Sequence, residues 1–121
     1  MMMLRALGFA AVLAILPAGA QALACSVPYI RTYDNQATSG TMRTKAGQPC
    51  SIYLRRSRGP MQIAAIVQRP VHGTVSAGHR ITCRPRPGFT GTDAFTYARR
   101  GLDTGNNPVT RTVRIAVTVY P

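Results

Sequence analysis

The stretch TRTVRIAVTVYP, Thr110–Pro121, decides the fold. It sets Val113, Ile115, Val117 and Val119 on one face and Thr112, Arg114, Ala116 and Thr118 on the other. A period of two marks a half-buried strand, because successive side chains leave a pleated backbone on opposite sides. Working back along the chain, DAFTYA (Asp93–Ala98) brings Phe95 and Tyr97 to one face. GTVSAGHRITCRP (Gly73–Pro85) is a hairpin, with Val75 before an Ala-Gly turn and Ile81 and Cys83 sharing a face after it. MQIAAIVQRP (Met61–Pro70) is expected to carry Ile63, Ala65 and Val67 on its apolar side. SIYLRRS (Ser51–Ser57) alternates Ile52 and Leu54 with polar neighbours, and GTMRTKAGQPC (Gly40–Cys50) is a strand closed by a Gly-Gln-Pro turn. Turn residues recur at intervals of roughly 8–12, and no stretch after Pro28 keeps a helical period, which predicts an all-β sandwich of about seven strands.

The first 24 residues stand apart from this pattern. Arg5, an apolar run from Ala6 to Leu16, Pro17 and the small-residue tract ending at Ala24 read as a secretory signal peptide, so that residues 25–121 form a single domain. Cys25 follows the cleavage site directly, but a lipoprotein signal wants a Leu-like residue three before the cysteine, where Ala22 stands. An unlipidated, periplasmic or secreted product without a further span is the expectation. Its 97 residues suffice for one modest core.

Charge is the most unusual property of the chain. Fifteen cationic residues, all Arg except Lys45, face only Asp34, Asp93 and Asp103. Without Arg5 the balance is still a formal +11, which points to anionic surroundings or partners. Arg suits planar, bidentate contacts with phosphate, sulfate or carboxylate. Arg80 and Arg84 project from one side of a strand, about 13 Å apart, opposite Ile81 and Cys83. Arg86 follows beyond Pro85, Arg114 projects from the outer side of the last strand, and Arg99 and Arg100 begin a loop. Arg55, Arg56 and Arg58 make a second cluster. Were Arg114 in the same sheet as Arg80 and Arg84, the three would form a stripe. Spare aromatics for stacking on nucleic-acid bases are few.

Sites of other chemistry are poorly supplied. Calcium wants six to eight oxygens, several from carboxylates, and the chain has three Asp and no Glu. Asp103, Asn106 and Asn107 read as a plain turn, and His72 and His79, which could approach across the hairpin, lack a third ligand. There is no G-x-S-x-G elbow and no pair of catalytic carboxylates. No enzyme activity, cofactor or small-molecule substrate is expected. Three cysteines in an exported chain imply one disulfide and one thiol among Cys25, Cys50 and Cys83.

From Gln68 to Val119 the sequence resembles the bacterial Ig-like, cadherin-like repeat, carried most specifically by PGFTGTDAFTY (Pro87–Tyr97). The match covers about half the segment after the leader; Cys25–Val67 has only compatible strand patterning. The resemblance implies an Ig-like Greek-key sandwich. It also puts Cys83 where such repeats carry a core Tyr, hence a buried thiol, with Cys25 and Cys50 paired. Asp93, four residues before Tyr97, resembles the Asp and Tyr of the immunoglobulin tyrosine corner, which implies a structural corner whose carboxylate takes turn amides. The function so implied is a non-enzymatic envelope module binding a polyanion such as an acidic polysaccharide or lipid headgroups. The alternative is a small accessory or inhibitor protein that docks an acidic protein through loops or strand edges.

Overall fold

The computed structural model describes residues 24–54 and 65–121. The proposed leader, apart from Ala24, lies outside the described residues, as do Ile63 and the cluster of Arg55, Arg56 and Arg58. The described strands are β1 (Cys25–Ser26), β2 (Gln36–Lys45), β3 (Cys50–Tyr53), β4 (Ala65–Gln68), β5 (Gly73–Ala77), β6 (Arg80–Pro85), β7 (Gly91–Leu102) and β8 (Pro108–Tyr120). They make a five-stranded sheet, β1-β2-β8-β7-β4, and a three-stranded sheet, β3-β6-β5. The architecture is the expected all-β sandwich with eight described strands. Placing β3, β6 and β5 in one layer and β4, β7 and β8 in the other is the Ig-like Greek-key arrangement. The first two strands extend the second layer through a parallel pairing of β2 with β8.

The core is where the alternating strands meet. Phe95 pairs with Ile115 and Tyr97 with Val113 across β7 and β8, and all four are buried. Met42 from β2 joins them, and Ile52, Ile81 and Cys83 cover the layer from the other sheet. Gly40 is needed where the N-terminal segment crosses β2, because a Cβ there would stand 2.6 Å from Ile30 Cδ1. The Arg86–Phe89 turn closes with the Phe89 N–H donating to the Arg86 carbonyl at 3.1 Å. Gly88 takes a φ of 83° in that turn, which favours glycine at its third position.

Two expectations need correction. Ala65 and Val67 do not face the core; both are exposed, and Ile66 between them packs inward. The cause is register. Ile66 pairs with Tyr97, whose ring points into the core, and the register shifts between Ile66 and Gln68. Arg99 and Arg100 do not begin a loop but lie inside β7, which continues to Leu102.

The disulfide joins Cys25 to Cys50, with Cα atoms 5.2 Å apart, and so ties edge strand β1 to β3 in the other sheet. Cys83 is a buried free thiol, as expected. It is also the direct cross-strand partner of Cys50, so all three cysteines belong to one cluster.

One buried hydroxyl among the described residues lacks a partner. Thr38 Oγ1 is buried without a hydrogen-bond partner on the inward side of β2. Thr38→Val keeps the shape and removes the stranded hydroxyl, so it is expected to stabilise by about 1 kcal/mol and raise Tm by roughly 5 °C, measured by thermal melting.

Candidate anion-binding surfaces

The outer face of the three-stranded sheet is built by parity. Because Ile52, Ile81 and Cys83 point inward, Ser51, Tyr53, Arg80, Thr82 and Arg84 point outward, as do Thr74 and Ser76 of β5. Thr82 lies between Arg80 and Arg84 and is flanked by Ser51 and Ser76, with the Ser51 and Thr82 hydroxyls 3.0 Å apart. Arg80 places its guanidinium 5.9 Å from the centre of the Tyr53 ring, within cation–π range. The result is a row of hydroxyls between two outward arginines whose backbone positions are about 13 Å apart.

No carboxylate belongs to this face, because the three acidic residues are engaged elsewhere. Asp93 accepts the Val71 N–H at 3.0 Å, the His72 N–H at 2.7 Å and the Ala94 N–H at 2.8 Å. It therefore fastens the β4–β5 connection to the start of β7; apart from Ala94, its donors lie 21 and 22 residues upstream. Burial alone would raise its pKa, but these three amides and the neighbouring His72 outweigh it and hold the carboxyl below its ordinary value. Tyr97, further along the same inward face, packs its ring into the core. Asp103 accepts the N–H groups of Gly105 and Asn107, at 2.8 and 2.9 Å, in the turn after β7. Asp34 forms an ion pair with Arg111 Nε at 2.7 Å.

Other singled-out residues are dispersed. Arg114 is exposed on the outer side of the five-stranded sheet, so the condition for a stripe with Arg80 and Arg84 is not met. Exposed on the same side are Arg43 and Lys45 of β2 and Arg100 of β7; sequence reading missed Arg43, although parity with Met42 and Thr44 marks it as outward. Arg86 is exposed in the turn after β6. His72 and His79 do not meet: β5 lies between them, and His72 instead stacks on Phe89 with ring centroids 4.2 Å apart. Among the described residues no group of three or more His, Cys, Asp or Glu could hold a metal ion.

A second basic feature is a half-open cleft, with the exposed Tyr29 and Tyr53 among its lining residues. A cavity of about 420 Å³ opens between the N-terminal segment, β3 and the β7–β8 pair. Its walls include Tyr97, Ile52, Ile30 and Tyr29, together with Arg99 and Arg111. These two arginines are direct cross-strand partners, one step beyond the Tyr97–Val113 pair and one before Gly101–Val109. Each has the parity of the core residues on its strand, so both project inward. Burial lowers the Arg99 pKa; the neighbouring Tyr97 opposes that shift and the Arg111 charge adds to it.

No family model matches the chain, and no curated protein matches it in sequence. Two further observations bear on its setting. No helix among the described residues is long and apolar enough to cross a membrane. The Cys25–Cys50 disulfide is compatible with an oxidising, exported location.

Proposed function

We propose that this chain is an exported, non-enzymatic module of the bacterial envelope, akin to the Ig-like, cadherin-like repeats, that holds an anionic polymer on its basic surface. The observation that carries the reading is the carboxylate-free outer face of β3-β6-β5, with Arg80 and Arg84 about 13 Å apart across a row of hydroxyls. That spacing suits repeated anionic groups on a polymer better than one small anion, and the hydroxyls suit a hydroxylated chain such as an acidic polysaccharide. The signal-like leader and the disulfide support export.

Replacing Arg80 and Arg84 together by Ser is expected to leave folding intact, since both are exposed, and to weaken retention on a heparin matrix. The salt dependence of retention should flatten as well, because fewer counterions are released. The control is Arg43→Ser with Arg114→Ser, which removes the same charge from the other sheet. Equal losses in both variants would mean that net charge alone acts and that the outer face is no site.

The second reading, docking of an acidic protein partner, draws on the edge strand β4 and the turn after it, where Val67 and Val71 are exposed. Salt separates the two. A polyanion complex should collapse at high ionic strength, whereas a packed protein interface should persist.

A further inference from the structure

We propose that Tyr53, with Arg80 beside it, and the Tyr29–Tyr33 segment across the cleft stack the sugar rings of an acidic polysaccharide, whose acidic groups meet the adjoining guanidiniums. This rests on the polymer reading above and names the residues that would make the polymer a sugar chain.

Single apolar side chains on a surface need no explanation, but a group of them marks a contact area. Among the described residues the large apolar side chains left exposed are Tyr29, Tyr33, Tyr53, Val67 and Val71. The tyrosines gather in one region. Tyr53, 72% exposed, is the cross-strand partner of Arg80 on the outer face and also lines the cleft, so it stands at the rim where the two meet. Tyr29, 68% exposed, lines the same cleft from the N-terminal segment. That segment alternates: Ile30 and Thr32 are half-buried, whereas Tyr29, Arg31 and Tyr33 are exposed. The Arg31 pKa is raised, first by its hydrogen bond to Tyr33 and then by the field of the Tyr33 and Tyr29 phenols, so the three side chains are neighbours. Each of the three rings therefore has an arginine beside it.

Rings set beside guanidiniums select the ligand. A pyranose offers a face of C–H groups to an aromatic ring and carries its hydroxyls and acidic groups around its rim. Tyrosine supplies a flat apolar face at little conformational cost, and arginine meets an acidic group through parallel N–H donors. The Arg80 guanidinium stands 5.9 Å from the centre of the Tyr53 ring. That is beyond van der Waals contact, yet near enough to meet an acidic substituent on a sugar resting on the ring. The next outward pair, Ser51 and Thr82, adds hydroxyls that answer the hydroxyl rim of a sugar. A nucleic-acid base would use the ring but leave those hydroxyls without a counterpart.

The test is calorimetric titration of the full chain with polygalacturonate, polyphosphate and oligothymidylate at one salt concentration. Polygalacturonate carries sugar rings and charge, polyphosphate charge alone, and oligothymidylate stacking bases. Polygalacturonate is expected to bind, and Tyr53→Ala should lower the preference for it over polyphosphate by about fivefold, the scale of one aromatic contact. Tyr53→Phe should keep that preference, because stacking needs the ring and not its hydroxyl. Tyr29→Ala should lower it in the same sense, from the opposite rim. The proposal is overturned if polygalacturonate does not bind, if either alanine variant keeps the preference, or if Tyr53→Phe loses it as Tyr53→Ala does. It is also overturned if oligothymidylate binds more tightly than polygalacturonate with the same dependence on Tyr53, which would make the polymer a nucleic acid. Failure of the underlying polymer reading shows in a different arm: Arg80→Ser/Arg84→Ser would then lose no more affinity for either polyanion than Arg43→Ser/Arg114→Ser.

Discussion

Cys25→Ser is expected to destabilise the domain by about 3 kcal/mol and then, in oxidised glutathione, to yield a new Cys50–Cys83 disulfide. The loss follows from loop closure: the native bond spans 25 residues, and on the chain-entropy model a loop of that length contributes about 3 kcal/mol. The new bond follows from register. Cys50 and Cys83 are cross-strand partners, and both are buried on the inward side of the sheet. Paired antiparallel residues have Cα atoms about 4.5–5.5 Å apart, inside the range that a disulfide spans. In the wild type Cys83 stays reduced because Cys50 is already engaged. Its thiol is also poorly reactive, since burial first and the Asp93 charge second push its pKa up to about 11. Maleimide should therefore label the wild type only after denaturation, on Cys83 alone. Peptide mapping without reduction reads both outcomes. A Cys25→Ser variant that keeps two free thiols under oxidation would contradict the register of β3 on β6.

Asp93→Ala is expected to cost about 2 kcal/mol and to lower Tm by roughly 10 °C. Three backbone N–H groups lose a charged acceptor, and the connection carrying Val71 and His72 comes loose from β7. Because His72 stacks on Phe89 and its carbonyl accepts the Arg86 N–H at 2.8 Å, the damage should extend into the Arg86–Phe89 turn. The same carboxylate gives the domain an acid limb. Its pKa is lower in the folded state than in the unfolded chain, so its contribution is fully present above the unfolded value of about 4. That contribution is lost as pH falls toward the folded value. Asp93→Asn should flatten this part of the stability profile in denaturant titrations between neutral pH and pH 3. Millimolar calcium should leave the wild-type Tm unchanged, since the carboxylate serves amides; a calcium-dependent rise would make Asp93 a ligand instead of a corner.

The single strand is what the sequence by itself determined. Alternation in Thr110–Pro121, in Asp93–Ala98 and in the Gly73–Pro85 hairpin is local information, because the side on which a side chain emerges depends only on parity along a pleated backbone. Parity sufficed for Phe95, Tyr97, Ile81, Cys83 and the inward valines of β8. It sufficed also for the outward Arg80 and Arg84. It failed at Ala65 and Val67, where pairing with the inward Tyr97 turns Ile66 to the core instead, and no nearby residue announces that register.

What lies opposite what was decided by the tertiary structure alone. Pairing β2 parallel to β8 and β3 to β6 joins residues far apart in the chain, and strand alternation carries no address for a partner. For that reason the sheet that holds Arg114, the meeting of Cys50 with Cys83, and the reach of Asp93 back to His72 became visible only in the fold. Arg99 and Arg111 show the division most sharply. Parity with Tyr97 and Val113 already marks each as inward, but only the β7–β8 register sets one guanidinium against the other beside a cavity.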